Sequence, residues 1–208
     1  MSTILAINSS AARDGSVSRM MVDHAVGLLM NADPDAVILR RDLGLHPIPH
    51  LSNSNLAGVR GAPSTASEYA TRALSSELIA ELRAADLIVI GAPMYNFSIP
   101  TALRGWFDYV LRAGETFRYS EAGPQGLLRG KRTIVMESRG GLYSEGLAKG
   151  MDFQEPYLRA LLGFAGITDV TFVRAEQLGF GPEVREHAIR RARHELTALV
   201  EMEYRRAA

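Results

Sequence analysis

Five short apolar runs alternate along the chain with five longer segments of helical periodicity. The runs are rich in Ile, Val and Leu and too short for helices, so they predict strands at 3–7, 36–39, 87–91, 133–137 and 167–173. The longer segments repeat apolar residues at helical spacing, which predicts helices at 18–30, 64–83, 101–113, 153–164 and 182–204. Strands that are apolar on both faces and joined by helices form parallel sheets, because the crossover helices cover both faces. The sequence therefore predicts an α/β fold with a doubly wound five-stranded parallel sheet.

Composition narrows the class of protein further. The chain has 208 residues, of which 47% are hydrophobic, so we expect a single domain spanning 1–208. Lys plus Arg and Asp plus Glu both total 23, and this balance disfavours nucleic acid or an anionic membrane as a partner. The absence of cysteine excludes disulfides, thiolate catalysis and cysteine metal sites. No apolar run approaches the ~20 residues that span a bilayer, so we expect a cytoplasmic protein.

Two stretches fit neither periodic pattern. Residues 43–63, which include LHPIPHLSNSN, are predicted to leave the sheet and to contain a short helix. Residues 115–128, ETFRYSEAGPQGLL, carry a Gly-Pro pair that is typical of a loop or a short hairpin.

Ligands of open α/β sheets bind beyond the carboxyl ends of the strands, so we expect the functional residues in the loops at those ends. The first, residues 8–21, gathers Ser9, Ser10, Ser16 and Ser18 where a loop enters a helix. Hydroxyls and the free N–H groups of a helix N-terminus can hold a phosphate, whereas a single serine there is more often only a helix cap. The chain lacks both glycine-rich nucleotide fingerprints, which favours a monophosphate.

The second loop, GAPMYNFSIP at residues 91–100, is unusually apolar for the end of a buried strand. Met94, Tyr95 and Phe97 offer a flat apolar wall and Asn96 offers an amide, a combination that suits a planar heteroaromatic ring. The alternative is that Met94 and Phe97 only seal the top of the core.

The third loop, ESRGGLYSEG at residues 137–146, follows the fourth predicted strand. Ser138, Gly140 and Gly141 can bring backbone N–H groups close to a ligand, although a plain turn explains a Gly-Gly pair equally well. Taken together, the three loops predict a site with a phosphate at one end and a planar ring at the other.

Several motifs resemble those of the FMN-dependent NADH:quinone oxidoreductases, also called FMN-dependent NADH-azoreductases. The resemblance rests on PMYNF, SRGG, HPIP at 46–49, SSELIAELRAADLIVI at 75–90, RAGETFRYSEAGPQGLLRGK at 112–131 and LGFAGITDV at 162–170, and covers essentially the whole chain. It implies a flavodoxin-like fold and a homodimer with an FMN in each of two interface sites. It also implies two-electron transfer from NADH, or NADPH, to quinones and azo compounds by a ping-pong mechanism.

The resemblance also implies roles for individual residues. Residues of the three loops would bind the cofactor: Ser10, Ser16, Val17, Ser18, Met94, Tyr95, Asn96, Phe97, Ser138, Arg139, Gly140 and Gly141. Aromatic residues would line the substrate pocket, one of them reaching across the dimer: Phe97, Tyr119 and Phe164. Asn96 is a candidate for orienting the ring. Solvent can supply the protons without a dedicated general acid, and Tyr119 is a candidate donor because of its phenol. Residues 142–158 are longer than in similar sequences, which leaves substrate preference open.

Two other classes of function share some of these sequence features. A flavodoxin-type electron carrier would share the phosphate and ring loops, but such carriers are usually acidic and shorter. A phosphodiesterase acting on a phosphopantetheine-bearing carrier protein would need metal ligands or an activated nucleophile. His46 and His50 flank a Pro-Ile-Pro segment without an accompanying carboxylate or cysteine cluster, so we expect no metal site. The physiological acceptor and the choice between NADH and NADPH stay open.

Overall fold

The computed structural model describes the backbone of residues 2–207 and the side chains of residues 2–202, so both ends of the expected domain, residues 1 and 208, lie outside the described residues. The strands are β1 (Thr3–Asn8), β2 (Val37–Asp42), β3 (Leu87–Pro93), β4 (Phe117–Ser120), β5 (Gly123–Gly126), β6 (Arg132–Ser138) and β7 (Asp169–Ala175). The helices are α1 (Val17–Ala32), α2 (Ala57–Arg60), α3 (Ala66–Ala84), α4 (Thr101–Val110), α5 (Glu155–Ala165) and α6 (Pro182–Ala207).

Five strands form one parallel sheet in the order β2-β1-β3-β6-β7. The chain runs outward from β1 to β2 and then returns to β3 on the other side of β1. This reversal is the topological switch point beside which such sheets bind ligands. The predicted doubly wound five-stranded parallel sheet is therefore confirmed.

The core has two halves because successive residues of each strand face opposite sides of the sheet. In β1, Leu5 and Ile7 pack into the cluster formed with α3, α4 and α5, while Ile4 and Ala6 pack into the cluster formed with α1 and α6. All five strand residues from Ile4 to Asn8 are buried. Covering both faces explains why the strands read as continuous apolar runs rather than as alternating ones.

The edge strand β2 extends to Asp42, three residues beyond its predicted end. The prediction stopped where the apolar run stops, but the charged residues that follow have partners on the neighbouring helices. Arg41 contacts Glu77 at 2.5 Å, and Asp42 pairs with Arg19 of α1. Because these charged residues are paired, the chain can continue as an edge strand through them.

Helix α4 ends at Val110 rather than at the predicted residue 113. The hydroxyl of Thr116 donates to the carbonyl oxygen of Val110 at 2.6 Å and accepts from the N–H of Arg112 at 3.1 Å. These bonds replace the next helical ones, so the chain turns away at that point.

The two irregular stretches have the local structure expected of them. Residues 43–63 contain the short helix α2, and residues 115–128 contain the antiparallel hairpin β4–β5. The hairpin packs against the end of α5, where a Cβ on Gly126 would lie 2.1 Å from the backbone nitrogen of Gly166. Only glycine permits that approach.

In the part of the chain that the structure describes, no helix combines the length and the apolar character needed to cross a bilayer.

Candidate functional site

Hydrogen bonds join the three predicted loops into one site at the carboxyl edge of the sheet. The N–H of Met94 donates to the carbonyl oxygen of Ser138 at 2.9 Å, which links the second loop to the third. The N–H of Ala11 donates to the phenolic oxygen of Tyr95 at 3.2 Å, which links the second loop to the first. The structure therefore brings the three loops together, as the strand order requires.

The first loop leads into the N-terminus of α1. The hydroxyl of Ser16 caps this helix by accepting from the N–H of Arg19 at 3.4 Å, as the simpler reading of the serine predicts. Among the described residues, the backbone N–H groups of Val17 and Ser18 have no hydrogen-bond acceptor. Ser10 is buried, and its hydroxyl lies 3.4 Å from the phenolic oxygen of Tyr95. The helix end thus keeps free donors at its positive pole, where an anion binds favourably.

An ion pair beneath the first loop fixes its shape. Arg19 binds both carboxylate oxygens of Asp42, and its second terminal nitrogen donates to the carbonyl oxygen of Ser10 at 3.2 Å. Burial alone would raise the pKa of Asp42, but the hydrogen bond and charge of Arg19, together with hydrogen bonds from the N–H groups of Leu45 and Gly44, hold that pKa below its usual range. Gly44 lies so close that a Cβ there would stand 1.9 Å from the Ser10 oxygen. Arg19 therefore braces the loop instead of offering its charge to a ligand.

The second loop contains a two-residue turn with strained geometry. Tyr95 and Ser98 form an antiparallel bridge with hydrogen bonds of 3.0 and 3.1 Å, and between them Asn96 and Phe97 have φ values of +46° and +71°. Positive φ at both central residues is the geometry of the tightest hairpin turn. An aromatic residue rarely adopts it, and the cost is on the order of 1 to 3 kcal/mol.

This turn presents its groups outward. The side chains of Tyr95, Asn96 and Phe97 are exposed, and within residues 2–207 no acceptor receives the N–H groups of Asn96 or Phe97. Met94 is half-buried beneath them. The aromatic residues therefore do not simply seal the core: they form a surface with free donors at its edge.

The third loop offers a second set of free donors. The carbonyl oxygens of Gly140 and Gly141 accept from the N–H groups of Gly179 and Gln177 at 2.9 and 2.8 Å, which fixes both peptide groups. Their own N–H groups find no acceptor in the described structure. A Cβ on Gly141 would approach the ring of Tyr143 to 3.0 Å, so the position has little room for a side chain.

Arg139 occupies a different place from the other predicted cofactor residues. Its side chain is fully buried, and every nitrogen of its guanidinium has a protein partner. Nε donates to Gln154 at 3.0 Å, one terminal nitrogen contacts Glu176 at 3.2 Å and Asp152 at 3.0 Å, and the other donates to Glu137 at 2.6 Å. The guanidinium thus faces the interior beneath the third loop. Its assignment to cofactor binding stays a prediction, and what the geometry supports is a positioning role.

The acidic partners of Arg139 differ in their protonation. Burial raises the pKa of Glu137 to about 8 despite the charge of Arg139, and one of its carboxylate oxygens has no hydrogen-bond partner. Burial would also raise the pKa of Glu176, but hydrogen bonds from Ser144 and Tyr143 hold it below the usual range. Sequence reasoning missed this cluster. The available signal was a Glu ending an apolar strand, with an Arg two positions later on the same face.

The three residues predicted to line the substrate pocket do not lie together in one chain. The ring of Phe117 packs between Tyr119 and Phe164, with centroid distances of 5.5 and 4.5 Å, and all three line an open depression of ≈ 560 Å³. Phe97 instead packs edge-on against Tyr143 with a centroid distance of 6.1 Å. Tyr119 is 74% exposed on the hairpin β4–β5. Within the chain, the hairpin aromatics therefore form a surface separate from the Phe97 turn.

Comparison with known proteins adds independent evidence. A model of the flavodoxin-like fold family matches residues 2–200. An FMN-dependent NADH:quinone oxidoreductase of Hyphomonas neptunium is 62% identical over 201 residues, which cover 97% of each chain.

Solved structures support the same family assignment. An azoreductase from Bacillus anthracis superposes with a TM-score of 0.88 at 27% identity, covering 96% of this chain and 99% of that one. An FMN-dependent NADH-azoreductase from Bacillus anthracis in complex with FMN gives a TM-score of 0.84 at 27% identity, covering 96% and 100%. The chain therefore belongs to the FMN-dependent NADH:quinone oxidoreductase family and has its flavodoxin-like fold.

Proposed function

We propose that this protein is an enzyme that binds FMN and transfers two electrons from NADH to quinones and azo compounds. The observation that carries the proposal is the arrangement of the three hydrogen-bonded loops. Free N–H groups at the start of α1 and at Gly140 and Gly141 flank an exposed aromatic turn. A phosphate suits the first set of donors, and a flat ring with an anionic edge suits the others.

Each loop then has a defined task. The serine hydroxyls and free N–H groups of the first loop hold the phosphate: Ser10, Ser16, Val17 and Ser18. The second loop, Met94 to Phe97, lies along the ring, with Asn96 orienting it. The third loop places Ser138, Gly140 and Gly141 at the pyrimidine edge, while Arg139 holds that loop from below. FMN, when bound, supplies the capacity to accept a hydride from the nicotinamide and to return two electrons to the acceptor.

The proposal includes a homodimer and a ping-pong order. Phe97 lies apart from Tyr119 and Phe164 within one chain, and an exposed hairpin carrying Tyr119 can reach the Phe97 turn of a second copy. Nicotinamide and acceptor then occupy the same space beside Phe97 in turn. Tyr119 is the candidate proton donor, NADPH is the alternative reductant, and the cytoplasm is the expected location.

An absorbance experiment tests this function directly. The purified protein is reconstituted with FMN, desalted, and treated anaerobically with NADH and then with 1,4-benzoquinone. We expect a retained flavin spectrum that bleaches with NADH and returns with the quinone. Protein that retains no flavin after desalting would refute the three-loop site, and flavin that bleaches but does not return would refute the quinone as acceptor.

A further inference from the structure

Residues 142–153, which begin within the third loop after Gly141 and run toward α5, form a segment whose start is anchored on a buried carboxylate. The N–H groups of Tyr143 and Ser144 donate to one oxygen of Glu176 at 2.9 and 3.0 Å, and the hydroxyl of Ser144 donates to the other oxygen. Glu176 is 2% exposed. Charge-assisted bonds from three donors fix the direction in which the segment leaves the third loop.

The far end of the same segment is anchored on Arg139. Asp152 contacts the guanidinium at 3.0 Å, and its other oxygen accepts from the N–H groups of Gln154 and Glu155 at 2.9 and 3.1 Å. Gln154 accepts from Arg139 and donates to the carbonyl oxygen of Ala92 in β3 at 2.9 Å. Because Arg139 also contacts Glu176, one buried guanidinium ties both ends of the segment to the strands below the site.

The anchored segment lies directly beside the strained turn. The N–H of Phe153 donates to the carbonyl oxygen of Phe97 at 3.1 Å. The hydroxyl of Ser98 approaches the carbonyl oxygen of Phe153 at 3.5 Å, and the ring of Tyr143 packs against Phe97. The backbone of the segment is thus joined to the turn that lies along the ring in the proposed function.

Between its anchors the segment holds apolar side chains in solvent. Leu147 is fully exposed, Met151 is 43% exposed and Phe153 is 60% exposed. Of these, Phe153 is hydrogen-bonded to Phe97 through the backbone and so places an exposed apolar residue beside the turn. Apolar side chains clustered at the edge of a polar site are typical of a ligand-contacting surface.

We propose that residues 142–153 form a wall that selects large apolar acceptors over small ones, and that Arg139 and Glu176 are positioning residues for this wall. The inference rests on the proposed function and deepens it. A fused-ring quinone extends beyond the flavin-facing ring and reaches the side chain of Phe153. A single-ring quinone does not extend that far, so it gains little from this contact.

Phe153→Ala tests the wall, with Tyr69→Ala as its matched control. Both side chains are aromatic and similarly exposed, at 60% and 58%, but Tyr69 lies on α3. The FMN-loaded enzyme is assayed at saturating NADH with menadione, a two-ring quinone, and with 1,4-benzoquinone. We expect Phe153→Ala to lower the ratio of kcat/KM for menadione to that for benzoquinone about fivefold, mainly through KM. Tyr69→Ala should leave the ratio unchanged.

The anchors are tested with Ser144→Ala and Asp152→Asn. The Asn side chain keeps an oxygen for the two N–H groups at the start of α5 but loses the ion pair with Arg139. We expect both variants to lower the same ratio while retaining FMN after desalting, because they release the wall without replacing any residue assigned to FMN in the three loops. A loss of FMN that accompanies every fall in the ratio would mean a general structural role and would overturn the positioning assignment.

Three further outcomes would contradict the proposal. The first is an unchanged ratio in Phe153→Ala, and the second is an equal fall in Tyr69→Ala. The third is a change in the assembly mass of Phe153→Ala by light scattering, which would assign the exposed side chains to a contact between copies. Failure of the proposed function itself has a different signature, because wild-type protein loaded with FMN would then reduce neither quinone.

Discussion

The variant Glu137→Gln tests the protonation of the buried Glu137 carboxyl through the pH dependence of stability. Burial raises the pKa of Glu137 from its ordinary 4.5 to about 8, with Glu155 and Asp152 adding to the rise and Arg139 opposing it. The folded protein therefore holds a proton that the unfolded chain has already released between these two values. The stability that this proton confers is complete below pH 4.5 and is lost as the pH rises through about 8.

The magnitude follows from the number of protons involved. One extra proton in the folded state lowers the free energy of unfolding by up to ~1.4 kcal/mol for each pH unit inside the window. Between pH 6 and pH 7 both ends of the window are distant enough for most of this slope to apply. Gln cannot titrate, so the variant should lack the Glu137 contribution and otherwise have the same pH dependence as the wild type.

Urea unfolding of flavin-free protein at pH 6 and pH 7 measures the effect, with the protomer concentration held constant because a dimer would couple stability to concentration. We expect the free energy of unfolding of the wild type to fall by about 1 kcal/mol more than that of Glu137→Gln over this unit. Parallel changes in the two proteins would show that Glu137 is ionised in the folded state and would refute the reasoning.

Three other substitutions probe the loops. Phe97→Gly should raise the free energy of unfolding by about 1 kcal/mol, since glycine adopts a φ of +71° without strain, and should raise the KM for quinones; lower stability in urea unfolding would contradict the strain. Gly44→Ala should weaken FMN binding about tenfold in fluorescence titration, because the added Cβ would displace the first loop. Its control is Gly27→Ala on α1, where a Cβ meets open space; this variant should leave binding unchanged and stabilise the protein by up to ~1 kcal/mol. Asn96→Ala should also weaken FMN binding about tenfold, whereas exposed His46→Ala should not; equal effects would undermine the role of Asn96.

The sheet could be predicted because its strands are buried on both faces, so hydrophobicity alone marks them. Where charge replaces hydrophobicity this signal fails, as in β2, whose last residues are stabilised by Arg41 and Asp42 pairing with partners far along the chain. Such pairings depend on tertiary structure and leave no local pattern.

The site was predictable at the level of loops but not of contacts. The alternation of elements predicts a parallel sheet whose carboxyl-end loops share one edge, and the observed strand order brings the three loops together. The strained turn at Asn96 and Phe97 contradicts local preference, since neither residue pattern nor propensity suggests positive φ at a phenylalanine. The role of Arg139 was also hidden, because its partners Asp152, Gln154 and Glu176 come from two later segments.

Because residues 142–153 are anchored at both ends, the sequence between the anchors can vary without changing how the enzyme folds. Residues 145–151 connect two points that the interior already fixes, and doubling the length of such a connection costs only about 0.6 kcal/mol of closure entropy. We expect insertions, deletions and grafted sequences there to leave the sheet and its helices intact. This stretch is therefore a suitable target for laboratory evolution. Libraries that vary its length and composition can be screened while the rest of the fold stays constant.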